Sequence, residues 1–364
     1  MVFSTIKSFL SAFIKWSSQA TPKLVPNTIQ VIQTARKIGA QTSPENIADI
    51  PVQMQSVFLG ETDLPEKIIY GFKNVVVSWN GVVIKGLQLF VPSLAYFTYA
   101  EEYSGTFLLR QWISKRIKLS GTVGLIYDNW SVANYYHWLI DTLPRLLLLR
   151  EKYPNCKLII PASAPDYVSL TVSALGFNNT FALAKNNFIR VQHLIMPSHI
   201  THPGSQDPTL IQSVREELLK TFGYAQCMMS SLPTRRIYVS RSRQKIRRLL
   251  NEEELYPLLL YYDFEIVYFE EMSFEQQVKI MQGASIVMGV HGANLTNILF
   301  MSTGSLVIEL LNEQIPNPCY FQLASNLELR YQALPCYPTL SSGPVNNNNL
   351  NINPASLDKV LKSL

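Results

Sequence analysis

The order of hydrophobic and polar positions predicts alternating strands and helices in the second half of the chain. Apolar runs of strand length occupy 236–239, 265–269, 286–290 and 305–310, and segments with helical periodicity separate them. Strands that alternate with helices through short links form a parallel sheet with right-handed crossovers. We therefore predict an α/β fold for this half.

Capping residues mark the starts of two of these helices. Asn251 is followed three residues later by Glu254, and Ser273 is followed by Gln276. In this spacing the first side chain accepts a backbone hydrogen bond from the third residue of the helix, and the second side chain returns one. Both pairs are predicted to be capping boxes.

The first half has a different pattern, in which β-branched residues dominate up to about residue 126. In segment 74–85, apolar β-branched runs flank Asn80-Gly81, the pair that a tight primed hairpin turn favours. A long apolar segment, 133–150, predicts a buried helix. Further strands are predicted at 122–127, 157–160 and 189–196.

The stretch 285–297 reads SIVMGVHGANLTN and predicts a strand, a tight turn and a helix. The turn consists of His291, Gly292, Ala293 and Asn294, and its small residues let a ligand approach the backbone. Free N–H groups and the dipole of a helix start attract anions. We predict that this turn holds the phosphates of a nucleotide donor and that Asn294 or Thr296 caps the helix. The alternative is a buried turn histidine beside a plain cap.

Three polar residues interrupt the buried helix at 133–150. His137, Asp141 and Arg145 recur at a spacing of four, so they lie in one column on one face. Pro144 is expected to kink or restart the helix. A histidine one turn from a carboxylate suits general-base catalysis. The alternative is an Asp141–Arg145 ion pair beside a structural histidine.

A basic loop follows the predicted strand 236–239. It reads SRSRQKIRR and includes Arg241, Lys245 and Arg248. Guanidinium groups bind phosphate oxygens bidentately without a metal ion. The alternative is a solvated basic loop.

One strand beyond His291, Glu309 is expected at a strand end, where it could accept hydrogen bonds from a ribose diol.

Composition narrows the function classes. A hydrophobic fraction of 47% is enough for large buried cores, and the length of 364 residues favours two domains. The net charge of +5 is too small for a nucleic-acid-binding protein. Four cysteines without paired metal spacing favour reduced thiols and a cytosolic compartment. His199 and His202 lack a third ligand, and no Asp-x-Asp triplet is present, so no metal site is predicted.

The first sixteen residues have an amphipathic pattern. Phe3, Ile6, Leu10 and Phe13 recur at helical spacing, and no run approaches the roughly 18 apolar residues of a membrane span. This segment is predicted to lie on a membrane surface, and the alternatives are a helix docked on the protein or a frayed terminus.

The patterns along the whole chain predict four parts. They are an N-terminal segment and linker at 1–50, an acceptor-side α/β domain at 51–230, a Rossmann-like domain at 231–335 and a tail at 336–364.

Three segments together resemble glycosyltransferase family 61. They are NYYHWLIDTLPRLLLL at 134–149, IYVSRSRQKIRRLLNEEEL at 237–255 and GVHGANLTNILFM at 289–301. In the last segment, Asn294 stands where the family commonly has glycine. The order and separation of the three segments also fit the family, so the resemblance spans roughly 50–335.

This resemblance implies a GT-B arrangement, in which two Rossmann-like domains face a central cleft. The reaction it implies is inverting, metal-independent transfer from a nucleotide-sugar, a UDP-sugar above all, with no cofactor. It implies Asp141 or His137 as the base, with Asn134 and Arg145 in support. The donor-binding set it implies is Arg241, Lys245, Arg248, His291, Gly292, Ala293, Asn294 and Glu309.

The resemblance also suggests a biological setting. The bacterial branch of the family points to capsule, lipopolysaccharide or exopolysaccharide synthesis, with a glycan or lipid-linked acceptor. The protein is then expected in the cytoplasm, with peripheral contact to the inner membrane through residues 1–16 and no nucleic-acid partner. The alternative function is a non-catalytic relative that binds a nucleotide or a glycan.

Overall fold

The structure is a computed structural model, and it describes residues 23–39, 43–95, 103, 105–114, 117–202, 204–224, 232–339 and 344–364. The predicted amphipathic segment 1–16 lies outside these residues, and so does Cys227. Cys156, Cys319 and Cys336 are buried free thiols. Among the described helices, none is long and apolar enough to cross a membrane.

Strands and helices alternate along the described chain. The strands are β1 Thr28–Gln33, β2 Arg36–Ile38, β3 Thr62–Leu64, β4 Lys67–Ser78, β5 Val83–Lys85, β6 Gln88–Leu89, β7 Ile117–Gly124, β8 Lys157–Pro161, β9 Thr180–Leu183, β10 Phe188–Pro197, β11 Arg235–Val239, β12 Phe264–Val267, β13 Ala284–Val290, β14 Leu306–Asn312, β15 Arg330–Pro338 and β16 Leu350–Asn351. The α-helices are α1 Val52–Gln55, α2 Thr106–Ile113, α3 Leu143–Lys152, α4 Asp166–Ala174, α5 Pro208–Thr221, α6 Glu252–Tyr261, α7 Phe274–Gln282, α8 Cys319–Asn326 and α9 Pro354–Lys362.

Internal contacts divide the chain into two compact units. The first combines the described residues of 1–36 and 65–203, and the second combines those of 37–64 and 204–364. Helix α5 contacts α8 and the segment 293–300, which explains why it groups with the second unit. The tail adds β16 and α9 to the same unit. The domain bounds drawn from sequence, with a division near 230, stay predictions beside this grouping.

The first unit contains an eight-stranded mixed sheet. Its order is β6-β5-β4-β10-β7-β8-β9, and β1 pairs with β4. Strand β4 runs antiparallel to β1, β5 and β10. The pairs β10–β7, β7–β8 and β8–β9 are parallel. The predicted α/β character is therefore confirmed. The predicted strand at 122–127 begins earlier, at Ile117, and ends at Gly124.

The predicted hairpin is present as β4 and β5. Its connection is longer than the predicted two-residue primed turn, since Ser78 donates its backbone N–H to the Val82 carbonyl and Asn80 does not adopt a positive φ. Gly81 does, with φ of 83°. A Cβ at Gly81 would also collide with the Tyr127 carbonyl. Glycine therefore allows the hairpin to pack against the loop after β7.

The predicted buried helix at 133–150 is interrupted. A π-helical segment, His137–Thr142, precedes α3, and Pro144 lies in the first turn of α3. The predicted restart is confirmed, because proline has no N–H to donate and is tolerated at a helix start. Most side chains from Trp138 to Leu149 are buried, as the apolar pattern predicts.

The second unit contains the predicted parallel sheet. Its order is β12-β11-β13-β14-β15-β16, and only the last pair is antiparallel. The residues of β14 are all buried except the last, which matches a central strand covered on both faces. Strand β15 and helix α8 were not predicted. The segment Ala293–Phe300 is a 3-10 helix, which is tighter than the α-helix that its periodicity suggested.

Two of the predicted helix caps are wrong. The Asn251 side chain makes no cap bond and instead bonds the backbone of Ile352, which fixes α6 to the strand region near β16. The Asn294 side chain lies inside the 3-10 helix and donates to Glu270, so Gly292 occupies the N-cap position. The capping box of Ser273 and Gln276 is confirmed at the start of α7.

Candidate active site

The first unit places a histidine–carboxylate pair at the start of the interrupted helix. His137 Nδ1 lies 2.6 Å from Asp141 Oδ2. Because an ionised carboxylate can only accept, Nδ1 carries the proton and Nε2 is left as the basic nitrogen. No described residue bonds Nε2, and 15% of the His137 side chain is exposed. Asn134 supports the pair, since its side chain accepts from the backbone of Tyr136 and His137.

The ion pair of Asp141 and Arg145, the alternative to a catalytic role, is not formed, because Arg145 has other partners. Its buried guanidinium donates to the Pro197 carbonyl at 2.9 Å and lies 3.5 Å from Asp128 Oδ2. Burial lowers the pKa of Arg145 to about 10. Burial raises the pKa of Asp141, and the hydrogen bond from His137 opposes this rise.

Asp128 organises the loop between β7 and the π-helical segment. Its Oδ1 accepts from the backbone of Trp130 at 2.9 Å and of Ser131 at 3.0 Å, while Oδ2 faces Arg145 and His199. Burial alone would raise the pKa of Asp128, but the nearby charges of His199 and Arg145 and the backbone donors lower it. The loop is therefore fixed by a carboxylate that remains ionised.

His199 belongs to the same cluster. Its Nε2 lies 3.0 Å from the Leu94 carbonyl, and its Nδ1 lies 3.7 Å from Asp128 Oδ2. Burial, followed by the charge of Arg145, lowers the pKa of His199 to about 4. From the sequence, His199 is assigned neither a metal site nor any other role. It instead lines a small cavity with Asp128, His137 and Asp141.

The second unit contains a second histidine–carboxylate pair. His291 follows β13 directly, and its Nδ1 lies 2.5 Å from Glu309 Oε1. Tyr331 donates its hydroxyl to Glu309 Oε2 at 2.5 Å. Glu309 is fully buried within β14 and does not lie at a strand end, because β14 continues to Asn312. The carboxylate therefore orients His291 from below, and both of its oxygens have protein partners.

Gly292 lies against the predicted phosphate-binding arginine, Arg241. A Cβ at Gly292 would overlap with the Arg241 guanidinium, so this approach requires glycine. Tyr320 donates its hydroxyl to the Gly292 carbonyl at 2.7 Å, and its ring contacts His291 with centroids 5.1 Å apart. The turn is therefore held from both sides.

Arg241 fixes the basic loop from inside. Its guanidinium donates to the carbonyls of Arg247 at 3.2 Å and Ile246 at 3.3 Å. Burial and then the charge of Arg247 lower the pKa of Arg241 to about 10. Arg247 itself has a positive φ of 55°, and its buried Nε has no partner among the described residues. Strained backbone and an unsatisfied donor commonly mark ligand sites.

A cavity of about 160 Å³ opens beside these residues. Arg247 and His291 line it, together with the amide side chains of Asn312, Asn317 and Asn348. One cationic group, a histidine and several amides can bind a phosphate and hydroxyl groups. Most of these residues were missed, since neither an arginine in a basic run nor single asparagines after a strand or in the polar tail have a distinctive spacing. The strained φ of Arg247 is visible only in the structure.

The other predicted donor residues lie around this cavity without lining it. Lys245 and Arg248 are exposed on the basic loop. Ala293 begins the 3-10 helix, and Asn294 bonds Glu270. The structure thus brings together His291, Gly292, Glu309 and Arg241, whereas the exposed cations remain predictions. Among the described residues, no three His, Cys, Asp or Glu side chains converge as a metal site.

Comparison with known proteins gives a family for this region. Residues 135–308 match the family model described as Glycosyltransferase 61. The chain is 40% identical over 98 residues to the EGF domain-specific O-linked N-acetylglucosamine transferase of Drosophila melanogaster, covering 26% of this chain and 18% of the relative. It is also 40% identical over 73 residues to the protein O-linked-mannose beta-1,4-N-acetylglucosaminyltransferase 2 of Takifugu rubripes, covering 19% and 12%.

A plant relative gives a similar picture. The chain is 28% identical over 100 residues to the beta-1,2-xylosyltransferase of Arabidopsis thaliana, covering 24% of this chain and 19% of the relative. Less than a fifth of each of these three relatives is therefore matched. The resemblance to glycosyltransferase family 61 is confirmed for residues 135–308, and with it the prediction of a glycosyltransferase domain. These relatives are animal and plant proteins, and they do not support the prediction of a bacterial member.

Proposed function

We propose that this protein is an inverting glycosyltransferase that moves a sugar from a nucleotide-sugar to a hydroxyl group of a glycan. The observation that carries the proposal is the His137–Asp141 pair, which lies within the segment that matches the family. A histidine whose Nδ1 is held by a carboxylate and whose Nε2 has no partner among the described residues is arranged to accept a proton.

In this proposal His137 is the base, and Asp141 is the residue that positions it. The acceptor hydroxyl gives its proton to Nε2 as its oxygen attacks the anomeric carbon, and the bond to the nucleoside diphosphate breaks. Asp141 keeps the proton on Nδ1 and stabilises the imidazolium that forms, as in other histidine–carboxylate pairs. Sequence alone left the choice between the two residues open, and the 2.6 Å contact favours this assignment.

The second unit binds the donor in this proposal. Arg247 neutralises the diphosphate, and His291, whose Nδ1 proton is held by Glu309, donates from Nε2 to a phosphate or sugar oxygen as an imidazolium. Arg241 holds the Arg247 loop, and Glu309 holds the His291 ring. Guanidinium groups thereby take the place of a divalent cation, and we retain a UDP-sugar as the donor.

The finer features of the prediction belong to the same proposal. A GT-B arrangement assigns the acceptor to the first unit and the donor to the second. The relatives' names specify EGF domains, O-linked mannose and xylosyl transfer, which supports a glycan or glycoprotein acceptor. Capsule or lipopolysaccharide synthesis, a cytoplasmic location and membrane contact through residues 1–16 stay predictions.

Donor binding tests the proposal through Arg247. Nucleoside diphosphates and a panel of nucleotide-sugars are added to the whole chain, and the shift of the melting temperature gives the affinity. Arg247→Ala is expected to weaken binding of the preferred nucleotide about tenfold or more, because it removes a charge-assisted contact to phosphate. Arg243→Gln is the matched control, since Arg243 lies on the same loop but pairs with Glu271 and stacks on Tyr268.

Equal weakening in Arg243→Gln, or no shift with any nucleotide, would contradict the donor site. Repeating the titration with a chelator tests the metal-free part of the proposal. Binding that disappears with the chelator would contradict it.

A further inference from the structure

The first unit has an open groove on one face of its sheet, away from the histidine–carboxylate pair in sequence and in lining. Arg190 of β10 pairs with Val76 of β4 on one side and with Lys118 of β7 on the other. Residues paired across strands share a face of the sheet. The intervening residues, such as Val75 and Ile189, are buried on the opposite face. Arg190 and Lys118 therefore lie side by side on this face, and the buried side chain of Val76 flanks them on β4.

The groove has a volume of about 690 Å³, and it combines three kinds of side chain. Three cations line it: Lys85, Lys118 and Arg190. Among the described lining residues there is no carboxylate, and neither Lys118 nor Arg190 has an ion-pair partner in the described part of the chain. An unneutralised cluster of this kind attracts anionic groups.

Amide side chains and one indole complete the groove. Gln111 is fixed by its donations to the carbonyls of Gly86 at 2.6 Å and Leu108 at 2.8 Å, so its carbonyl oxygen is held in a set position. Gln192 and Asn74 supply further amides. Trp112 extends from α2 with 40% of its surface exposed. Amides pair with hydroxyl groups, and an exposed indole offers a flat apolar face on which a sugar ring can lie.

We propose that this groove binds an anionic oligosaccharide, a glycan that carries carboxylate or sulfate groups. The cations bind the acidic groups, the amides bind hydroxyl groups, and Trp112 stacks on one ring. The inference is independent of the proposed transfer reaction, since it uses none of the residues assigned to base or donor. A nucleic acid fits less well, because it requires a longer stripe of cations than three and this chain carries only a mild positive charge.

The experiment measures binding of defined oligosaccharides to the whole chain by calorimetry. The probes are an oligogalacturonate hexasaccharide, a heparin-derived sulfated hexasaccharide, a neutral maltohexaose and a single-stranded oligonucleotide of six residues. One or both acidic hexasaccharides are expected to bind about tenfold more tightly than maltohexaose or the oligonucleotide. Which acidic probe binds tells whether carboxylate or sulfate is recognised.

Four variants place the binding in the groove. Arg190→Gln and Trp112→Ala are each expected to weaken binding of the acidic probe about fivefold or more. Arg110→Gln and Ile113→Ala are the matched controls, since both residues are exposed on the same helix but do not line the groove. Thermal unfolding of all four verifies that they fold.

Three results would overturn the proposal. They are a neutral hexasaccharide that binds as well as the acidic ones, an oligonucleotide that binds more tightly than both, and acidic binding that Arg190→Gln and Trp112→Ala leave unchanged. Loss of nucleotide binding or turnover in Arg247 or His137 variants would leave acidic-glycan binding intact, so failure of one proposal is distinguishable from failure of the other.

Discussion

His137 in the first unit and His291 in the second unit have the same local arrangement. In each, Nδ1 contacts a carboxylate oxygen, and Nε2 has no partner among the described residues. The carboxylates differ in exposure, since 20% of Asp141 is exposed and Glu309 is fully buried. The buried carboxylate of Glu309, with two protein partners, is suited to fix the orientation of the His291 ring. The partly exposed carboxylate of Asp141 can also stabilise the positive charge that His137 gains when Nε2 accepts a proton.

Glycine at position 292 is predicted to be necessary for donor binding. In Gly292→Ala, the added Cβ overlaps with the Arg241 guanidinium and displaces the arginine that holds the Arg247 loop. We expect nucleotide affinity to fall about tenfold, measured by titration calorimetry, because a loop that has shifted loses its phosphate contact.

The control for this variant is Gly39→Ala, since no atom lies within 4 Å of the Cβ position at Gly39. Unchanged nucleotide affinity in Gly292→Ala would contradict the role given to Arg241 and its loop.

His199 is predicted to make the fold sensitive to acid. Its pKa of about 4 lies below the ordinary histidine value of 6.5, so between these pH values the unfolded chain binds a proton that the folded chain does not. The free energy of unfolding must therefore fall as the pH is lowered through this window. In His199→Gln the fall is expected to be smaller, as measured by urea denaturation at several pH values from 7.5 to 4. An identical fall in both proteins would mean that His199 is not held neutral.

Among the elements of the second unit, β11 to β14, α6 and α7 follow from periodicity, whereas β15 and α8 do not. The π-helical segment of the first unit does not follow from it either. In the mainly apolar segment 138–149, no pattern distinguishes a π-helical turn, which contains an extra residue, from a turn of a regular α-helix. Likewise, the sequence pairs Asp141 with Arg145 by spacing, whereas the fold brings Arg145 to Asp128, seventeen residues earlier. Long-range pairing of this kind depends on how β7 and β10 end, which local patterns do not contain.

The Asp128–Arg145 contact is predicted to stabilise the loop before the π-helical segment. Arg145→Met leaves a buried carboxylate with its main cation removed, which is expected to cost about 3 kcal/mol of unfolding free energy. Adding Asp128→Asn removes that unpaired charge while keeping a side-chain oxygen that can accept from Trp130 and Ser131. The double variant is therefore expected to be more stable than Arg145→Met alone, as measured by denaturant unfolding.

An exposed pair serves as the comparison. The side chains of Arg235 and Glu265 form an ion pair in which they are 37% and 48% exposed. Arg235→Met breaks this pair and is expected to lower the free energy of unfolding by about 1 kcal/mol or less. The coupling of Asp128 and Arg145 would be contradicted if the double variant Asp128→Asn/Arg145→Met lost as much stability as Asp128→Asn and Arg145→Met lose when added together.

At the scale of the whole molecule, the sequence predicts the α/β character and the residues of one histidine–carboxylate pair in each half. It does not predict all the residues that line the donor cavity or that make up each unit. The segments 134–149 and 289–301 contain the two histidines because local sequence patterns already place a helix start in the first segment and a strand end in the second. The donor cavity also needs Asn312 at the end of β14, Asn317 in the segment that follows, and Asn348, which lies about thirty residues further along the chain. Such convergence, and the grouping of 37–64 with the second unit, arises only when the sheet forms.

The central claim is that this chain transfers sugar from a nucleotide with His137 as its base, and release of nucleoside diphosphate tests it most directly. A panel of nucleotide-sugars is incubated with the wild-type chain, His137→Ala and Asp141→Asn, and the released nucleotide is measured together with KM. We expect release by the wild-type protein from at least one donor, a fall in kcat of about a hundredfold or more in His137→Ala, a smaller fall in Asp141→Asn, and a donor KM that changes little in either. Tight donor binding without release by the wild-type protein, or full turnover in His137→Ala, would contradict the account.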